Sequence, residues 1–353
     1  MLAYAMSTDH DELDYLRVDA WLADVVGARA LATAIERGLI DRLATETLLP
    51  QAVVLAMGAA EPRAAEFLLR LLLDAHVLEA SGDLLGLSAT FRHTWKYRDL
   101  LMAKLDMALA VSGDWFERFG LLLDDERGFA AKSRLFEIFD YRKALGTRPE
   151  DLAATGRWLR YTTALTRHET PAVLARHDFA GYGNMLDIGG NSGEFVLQAC
   201  RRHAGLRAVV LDLPAVCALG AVHVGRCPEG ARIRFEPVTS AQATWPGGFD
   251  LVSFKSMLHD WPQAAMAGFL RQAHAALRPG GRVLIVERAR AETATEEVPL
   301  TFGNLPLALF FRSYRGTGEY CEALAAAGFG DVAVTRFMLD TPFHLIVASK
   351  QVS

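Results

Sequence analysis

The chain has 353 residues, 51% of them hydrophobic and 22% charged, and a formal net charge of −5. That length accommodates two domains of ordinary size with a large core. The acidic balance argues against a nucleic-acid binder, which carries a basic surface. Four cysteines, Cys200, Cys217, Cys227 and Cys321, form neither a CxxC pair nor a zinc spacing, so reduced thiols in a cytoplasmic protein and no metal centre are expected.

Residues 1–16 carry Asp9, Asp11, Glu12 and Asp14 and lack the basic start of a signal peptide, and Met6 is a second candidate start. No apolar run reaches the length of a membrane span, because 67–73 is interrupted by Arg70 and stopped by Asp74. The stretch 18–37 predicts helix with breaks at Gly27 and Gly38, and Pro62 opens a helix over 63–74. Runs 76–80 and 84–88 flank Ser81-Gly82-Asp83 as a small hairpin, so helices followed by a hairpin give a winged-helix pattern. Residues 98–170 read as helical again, with breaks near Gly113, Gly120, Gly128 and Pro149.

From 183 onward, apolar runs of strand length recur at 185–188, 207–213, 232–235, 250–256, 282–287, 331–337 and 343–349. Helical segments separate the early ones. This alternation predicts an α/β fold, a doubly wound, mostly parallel seven-stranded sheet with helices on both faces. Only a few residues around Thr341-Pro342 join the last two runs, which predicts an antiparallel hairpin at the sheet edge. Three parts are expected: 1–100, a helical connector over 101–175, and the sheet domain over 176–353.

Residues 185–195, Met-Leu-Asp-Ile-Gly-Gly-Asn-Ser-Gly-Glu-Phe, are the most informative stretch. A strand carrying Asp187 meets Gly189, Gly190 and Gly193, and then a helix begins. Such a turn lets backbone approach a ligand closely and offers free N–H donors, so it predicts a nucleoside cofactor. Asp212 ends the next strand roughly twenty residues later, the place of a carboxylate that accepts from a ribose diol; capping the following helix is its other reading. The loop lacks GxGxxG spacing, and no GxxxxGK[ST] pattern occurs, which favours an adenosyl cofactor without phosphates. Leu277-Arg278-Pro279-Gly280-Gly281 adds a helix end and turn before the run 283–287.

The Asp-Ile-Gly-Gly-x-x-Gly loop, the acid at the next strand end and Leu-Arg-Pro-Gly-Gly resemble class I S-adenosylmethionine-dependent methyltransferases. With Leu258-His259-Asp260-Trp261 and Leu211-Asp212-Leu213-Pro214, the chain resembles the small-molecule O-methyltransferases of the caffeate, acetylserotonin and bacterial polyketide type. The resemblance covers most of the chain. It implies a Rossmann-like catalytic domain, an N-terminal winged-helix dimerisation domain and a homodimer. It also implies S-adenosylmethionine as cofactor, with S-adenosylhomocysteine as product. Asp187, Gly189, Gly190, Gly193, Asp212, Leu213, Thr239, Ser240 and Lys255 would surround that cofactor, although Lys255 also reads as a side chain snorkelling from the sheet end.

His259 falls just past the strand 250–256, where open parallel sheets place their ligands, and Pro262 opens the helix 262–277. A helix N-terminus disfavours the imidazolium, so His259 is expected to stay neutral and accept a proton from a bound hydroxyl. Glu287, at the end of the next strand, would hold the imidazole in its tautomer. Asp260 reads equally as an N-cap and as a catalytic carboxylate.

Three positions depart from the family pattern. Asn191 replaces the middle glycine of the loop, a residue that tolerates the left-handed conformation. Thr239-Ser240 stands where an adenine-contacting Asp is usual. Tyr314 stands where a second carboxylate usually flanks the histidine, leaving Glu287 as the orienting acid. That last change keeps open a second reaction class, in which the bound cofactor serves decarboxylation, hydroxylation or pericyclic chemistry. A metabolite-sensing winged-helix DNA binder and a metal site at His259 and Asp260 are disfavoured by charge and by the lack of a second nearby histidine.

Substrate walls are expected from Trp158, Tyr161, Thr162 and Leu165 before the loop, and from Phe302, Leu305, Phe310 and Phe311 beside Tyr314; Met107, Trp115 and Phe119 are further candidates. Aromatic residues at helical spacing serve equally well as core. An apolar, hydroxylated aromatic or polycyclic small molecule fits such walls, with no nucleic acid and no membrane as partner.

Overall fold

The computed structural model describes residues 12–240, 243–290, 301–310 and 313–351. The chain divides into two compact units, one running up to Leu135 and taking back a segment that ends at Ala308, the other beginning at Phe136 and resuming at Leu309. Phe302, Leu305, Met107, Trp115 and Phe119 belong to the first unit, Phe310 to the second, and Phe311 lies outside the described residues.

The first unit is helical apart from one hairpin, β1 (Leu78–Ser81) and β2 (Leu84–Leu87), paired from Leu78↔Leu87 to Ser81↔Leu84. That register leaves Gly82-Asp83 as a two-residue turn, with Gly82 at φ 60°. Several expected breaks fall elsewhere. Gly27 lies inside the helix Val25–Glu36, whose real start is set by the Asp24 side chain accepting from Val26 N at 2.9 Å. The breaks expected near Gly113, Gly120 and Gly128 do occur, between the helices Arg98–Phe116, Phe119–Asp124 and Glu126–Lys132, although the glycines themselves lie inside them; Asp125 caps the last by accepting from Gly128 N at 2.9 Å. A capping carboxylate outweighs the ~1 kcal/mol cost of an interior glycine.

The second unit holds the seven-stranded sheet: β3 (Asn184–Ile188), β4 (Arg207–Asp212), β5 (Ile233–Pro237), β6 (Phe249–Lys255), β7 (Leu277–Arg288), β8 (Phe329–Met338) and β9 (Pro342–Lys350), in the order β5-β4-β3-β6-β7-β9-β8. The first five are parallel; β9 runs antiparallel to β7 and β8, which forms the edge hairpin the sequence predicts. Both faces of β6 are covered, since every residue from Phe249 to Lys255 is buried.

Period-2 alternation sorts the strand side chains between two faces. Leu186, Val252, Phe254, Val283, Ile285 and Ile346 form one core with Met266, Phe269 and Leu270 of the helix Gln263–Ala276 and Tyr320 and Leu324 of Thr317–Ala326. The intervening residues, including Lys255 and Arg288, turn to the other face, where Glu169 of the long helix Pro149–Arg176 meets them. That helix runs through Pro171. The carbonyl that proline cannot serve, Arg167 O, instead accepts from Gln198 Nε2 at 2.9 Å. Among the described residues, no helix is long and apolar enough to cross a membrane.

Candidate active site

The carboxyl ends of β3, β4 and β6 open onto one cavity of about 370 Å³. The loop after β3 forms its edge. Asn191 sits at φ 59° and Gly193 at φ 76°, so the left-handed turn survives the Asn substitution. Gly190 is required for a different reason: a Cβ there would lie 2.5 Å from Asp187 Oδ2 and 2.8 Å from Val210 Cγ1. Asp187 is buried; its Oδ1 takes the Ser253 hydroxyl, and its Oδ2 has no hydrogen-bond partner. Burial pushes Asp187 up to about 7, against the lowering by Ser253 and Lys255. Asp212 accepts from Asn191 N at 2.8 Å and Leu213 N at 2.7 Å, and burial still holds it at about 6. Its capping alternative does not hold, because the helix Pro214–Val224 has no side-chain cap.

These features fit a cationic adenosyl ligand. Asp187, Gly190 and Gly193 stand behind the cavity lining, and the unpartnered Asp187 Oδ2 is a buried polar atom that a donor or positive charge from a bound ligand would satisfy. Gly189, Asp212, Leu213, Thr239 and Ser240 line the cavity, and Trp245, Trp261 and Phe269 supply its aromatic side. Trp245 stacks on Phe269 with centroids 6.1 Å apart at 14°.

Lys255 also lines the cavity and does not snorkel outward. It is buried, its Nζ lies 2.5 Å from Glu169 Oε2, and Thr166 Oγ1 accepts at 3.2 Å. Arg288 shares Glu169 from the other side, sits 3.4 Å from Asp340 Oδ1, and stacks over Phe343 at 4.8 Å. Burial alone would raise the Glu169 pKa, but Arg288 and Lys255 outweigh it and hold the carboxyl at about 2.

His259 stands in a short 3-10 turn, Leu258–Asp260, between β6 and the helix Gln263–Ala276. Its Nδ1 lies 2.6 Å from Glu287 Oε2, the contact the sequence predicts. Glu287 Oε1 accepts from Met257 N at 2.8 Å and Leu258 N at 2.7 Å, so one fully buried carboxylate fixes both the ring and the turn that carries it. Asp260 Oδ1 is 3.4 Å from His259 Nε2, and Tyr141 donates to Asp260 Oδ2 at 2.8 Å. Asp260 is therefore not an N-cap; that helix has none from a side chain. The helix N-terminus expected to lower the His259 pKa is not the dominant influence on it. Burial lowers the His259 pKa, but Glu287 and Asp260 overcome this and leave it raised above 6.5. The 3-10 turn keeps the ring out of the helix's first turn, where the dipole acts.

Tyr314 packs edge-on to His259, with centroids 5.4 Å apart. Trp158, Thr162 and Leu165 line the cavity as predicted. Tyr161 and Phe310 do not: Tyr161 is buried in the core, and Phe310 packs edge-on to Phe136 and Phe139 at 6.0 and 5.5 Å. Tyr141, Glu169 and Arg288 are site residues that sequence motifs do not signal. Strand alternation would have found Arg288, which shares the Lys255 face. Among the described residues, no group of His, Cys, Asp and Glu is arranged to hold a metal ion.

The doubly wound sheet thus sets a glycine loop, a strand-end acid and Asp260 at one cavity, with the His259–Glu287 pair on the turn that carries Asp260, an arrangement suited to a nucleoside cofactor. Residues 141–330 match the O-methyltransferase domain family, and the chain belongs to that family. S-adenosylmethionine is the cofactor of the family. The chain is 31% identical over 196 residues to a 3-hydroxy-5-methyl-1-naphthoate 3-O-methyltransferase of Streptomyces sahachiroi, covering 54% of each. It is 33% identical over 150 residues to an O-demethylpuromycin-O-methyltransferase of Streptomyces alboniger, covering 42% of this chain and 39% of that one. The chain thus spans about half the length, or less, of these curated relatives. Human N-acetylserotonin methyltransferase, solved in complex with SAM, shares the fold at TM-score 0.63 and 19% identity, covering 98% of this chain and 100% of that one.

Proposed function

We propose that the protein transfers a methyl group from S-adenosylmethionine to a hydroxyl of an apolar aromatic or polyketide-like small molecule, with His259 as general base. The observation that carries this reading is the 2.6 Å contact between His259 Nδ1 and the buried Glu287, which leaves Nε2 as the proton acceptor. Asp187, the loop glycines Gly189, Gly190 and Gly193, Asp212, Leu213, Thr239, Ser240 and Lys255 would hold the cofactor. When bound, it supplies an electrophilic methyl on a sulfonium. His259 removes the hydroxyl proton, Glu287 stabilises the imidazolium that forms, and the aromatic cavity walls orient the acceptor and exclude water. Trp158, Trp245 and Trp261 support an aromatic acceptor, as does the naphthoate named for the Streptomyces sahachiroi relative.

The test is to incubate the protein with S-adenosylmethionine and a panel of hydroxynaphthoates and follow the acceptor by mass spectrometry. One added methyl group with release of S-adenosylhomocysteine is expected. Loss of carbon dioxide or gain of oxygen by the acceptor, with the cofactor unconsumed, would move the protein to the second reaction class.

The first unit serves in this reading as a winged-helix dimerisation domain. Exposed apolar side chains on it support that role, among them Leu55 at 80% and Phe67 at 64% exposure. Sedimentation equilibrium should give twice the chain mass, and Phe67→Asp should shift the population toward monomer; a wild-type monomer at micromolar concentration refutes the dimer.

A further inference from the structure

His259 has one carboxylate, Glu287, at Nδ1, and Tyr314 packs against the ring where the family resemblance implies a second. The groups that face the ring are Glu287 and Arg288 from β7, Asp260 from its own turn, and Tyr314. Arg315 brackets that turn from below, donating to Leu258 O at 2.8 Å and to Trp261 O. Asp260 has no partner from its own helix. Besides the His259 ring, its side chain is held by the Tyr141 hydroxyl, which donates to Oδ2 at 2.8 Å. The Tyr141 ring is itself fixed edge-on against Trp158, with centroids 5.3 Å apart at 71°. The turn that carries it starts with the Asp140 side chain accepting from Arg142 N at 3.2 Å.

We propose that Tyr141 is a positioning residue that pins Asp260 beside His259 Nε2, so that Asp260 supplies the second carboxylate missing at position 314. The inference rests on His259 being the base. At 3.4 Å, Oδ1 stands close enough to act on the ring yet leaves Nε2 open to an acceptor hydroxyl. Once Nε2 takes the proton, it gains a charge-assisted partner in Asp260. The contact is thus stronger after proton transfer than before it, which is the kind of interaction that accelerates a step.

Tyr141→Phe keeps the ring packing and removes only the donor. The full chain labelled with ¹⁵N-histidine is titrated by NMR, with the His259 signals assigned from the His259→Gln spectrum. Tyr141→Phe and Asp260→Asn are each expected to lower the His259 midpoint by about one pH unit, the size of a lost neighbouring charge. The double variant is expected to go no lower than Asp260→Asn, because both act through one carboxylate. With a hydroxynaphthoate acceptor, kcat should fall about tenfold with KM unchanged. A Tyr141→Phe midpoint equal to or above wild type, or additive shifts in the double variant, overturns the proposal. Failure of the methyltransferase reading is distinguishable, since it shows as no methyl transfer by the wild type whatever the titration gives.

Discussion

His259→Ala is expected to lower kcat by about 10²–10⁴-fold, the usual worth of a positioned general base. Affinity for S-adenosylmethionine, measured by calorimetry, should stay within about twofold of wild type, because kcat losses of this kind come from the transition state and not from uniform binding. The structure separates the two properties. The cavity walls that would take the adenosyl group are Gly189, Asp212, Leu213, Thr239 and Ser240, and none of them depends on the imidazole. The turn also survives the truncation, since Glu287 Oε1 holds Met257 N and Leu258 N independently of the ring. The pH dependence has a definite sign. Burial lowers the His259 pKa, but Glu287 and Asp260 outweigh it and raise it above the ordinary histidine value. Only the neutral ring accepts a proton, so kcat/KM should rise with pH through a midpoint above 6.5, and Glu287→Gln should bring that midpoint down. Turnover by His259→Ala at the wild-type rate, or a profile flat across neutral pH, would sink the assignment.

The parts of the fold carried by short-range pattern were legible. Seven apolar runs at strand spacing became β3 to β9, whereas the burial of every residue of Phe249–Lys255 was not legible, because Asp250, Ser253 and Lys255 interrupt its apolar residues. The glycine loop was legible because its constraint is local: Asn191 and Gly193 need positive φ, and Gly190 needs the space of a missing Cβ. Helix boundaries were less so. Glycine signals a break only when nothing nearby caps the chain, and here Asp24 and Asp125 decide the starts. Tyr141 and Glu169 were illegible for another reason. They are single residues whose partners, Asp260 and Lys255, lie 119 and 86 positions away. No spacing rule joins them; only the packing of the helix Pro149–Arg176 and the turn Tyr141–Leu145 against the sheet ends does so. Tyr161 shows the converse. Its helical spacing matches the cavity residues Trp158 and Leu165, yet a slightly different azimuth sends it into the core.

Glu169→Gln is expected to destabilise the sheet unit by about 3–5 kcal/mol, the usual cost of breaking a buried ion pair from one side. Glu169 is 2% exposed and its partners Lys255 and Arg288 are each 5% exposed at the side chain, so losing the carboxylate leaves two largely buried cations without the anion they share. Asp340 cannot take over, at 3.4 Å from Arg288 and already one of its partners. The loss should appear as a lower denaturant midpoint with unchanged slope. A second substitution isolates the cause. Lys255→Met in the Glu169→Gln background removes one uncompensated cation, so it should recover part of the stability, whereas independent sites would add their losses. The pH dependence follows from the same charges. Burial raises the Glu169 pKa, but Arg288 and Lys255 depress it from 4.5 to about 2. A depressed acid contributes stability that is fully present above its unfolded pKa and is lost as pH falls through its folded one. The gap between wild type and Glu169→Gln should therefore hold constant above pH 4.5 and close progressively toward pH 2. A gap that instead persists into acid would mean that the glutamate acts through shape and hydrogen bonding, and that the two cations beneath the cavity are neutralised by something other than its charge.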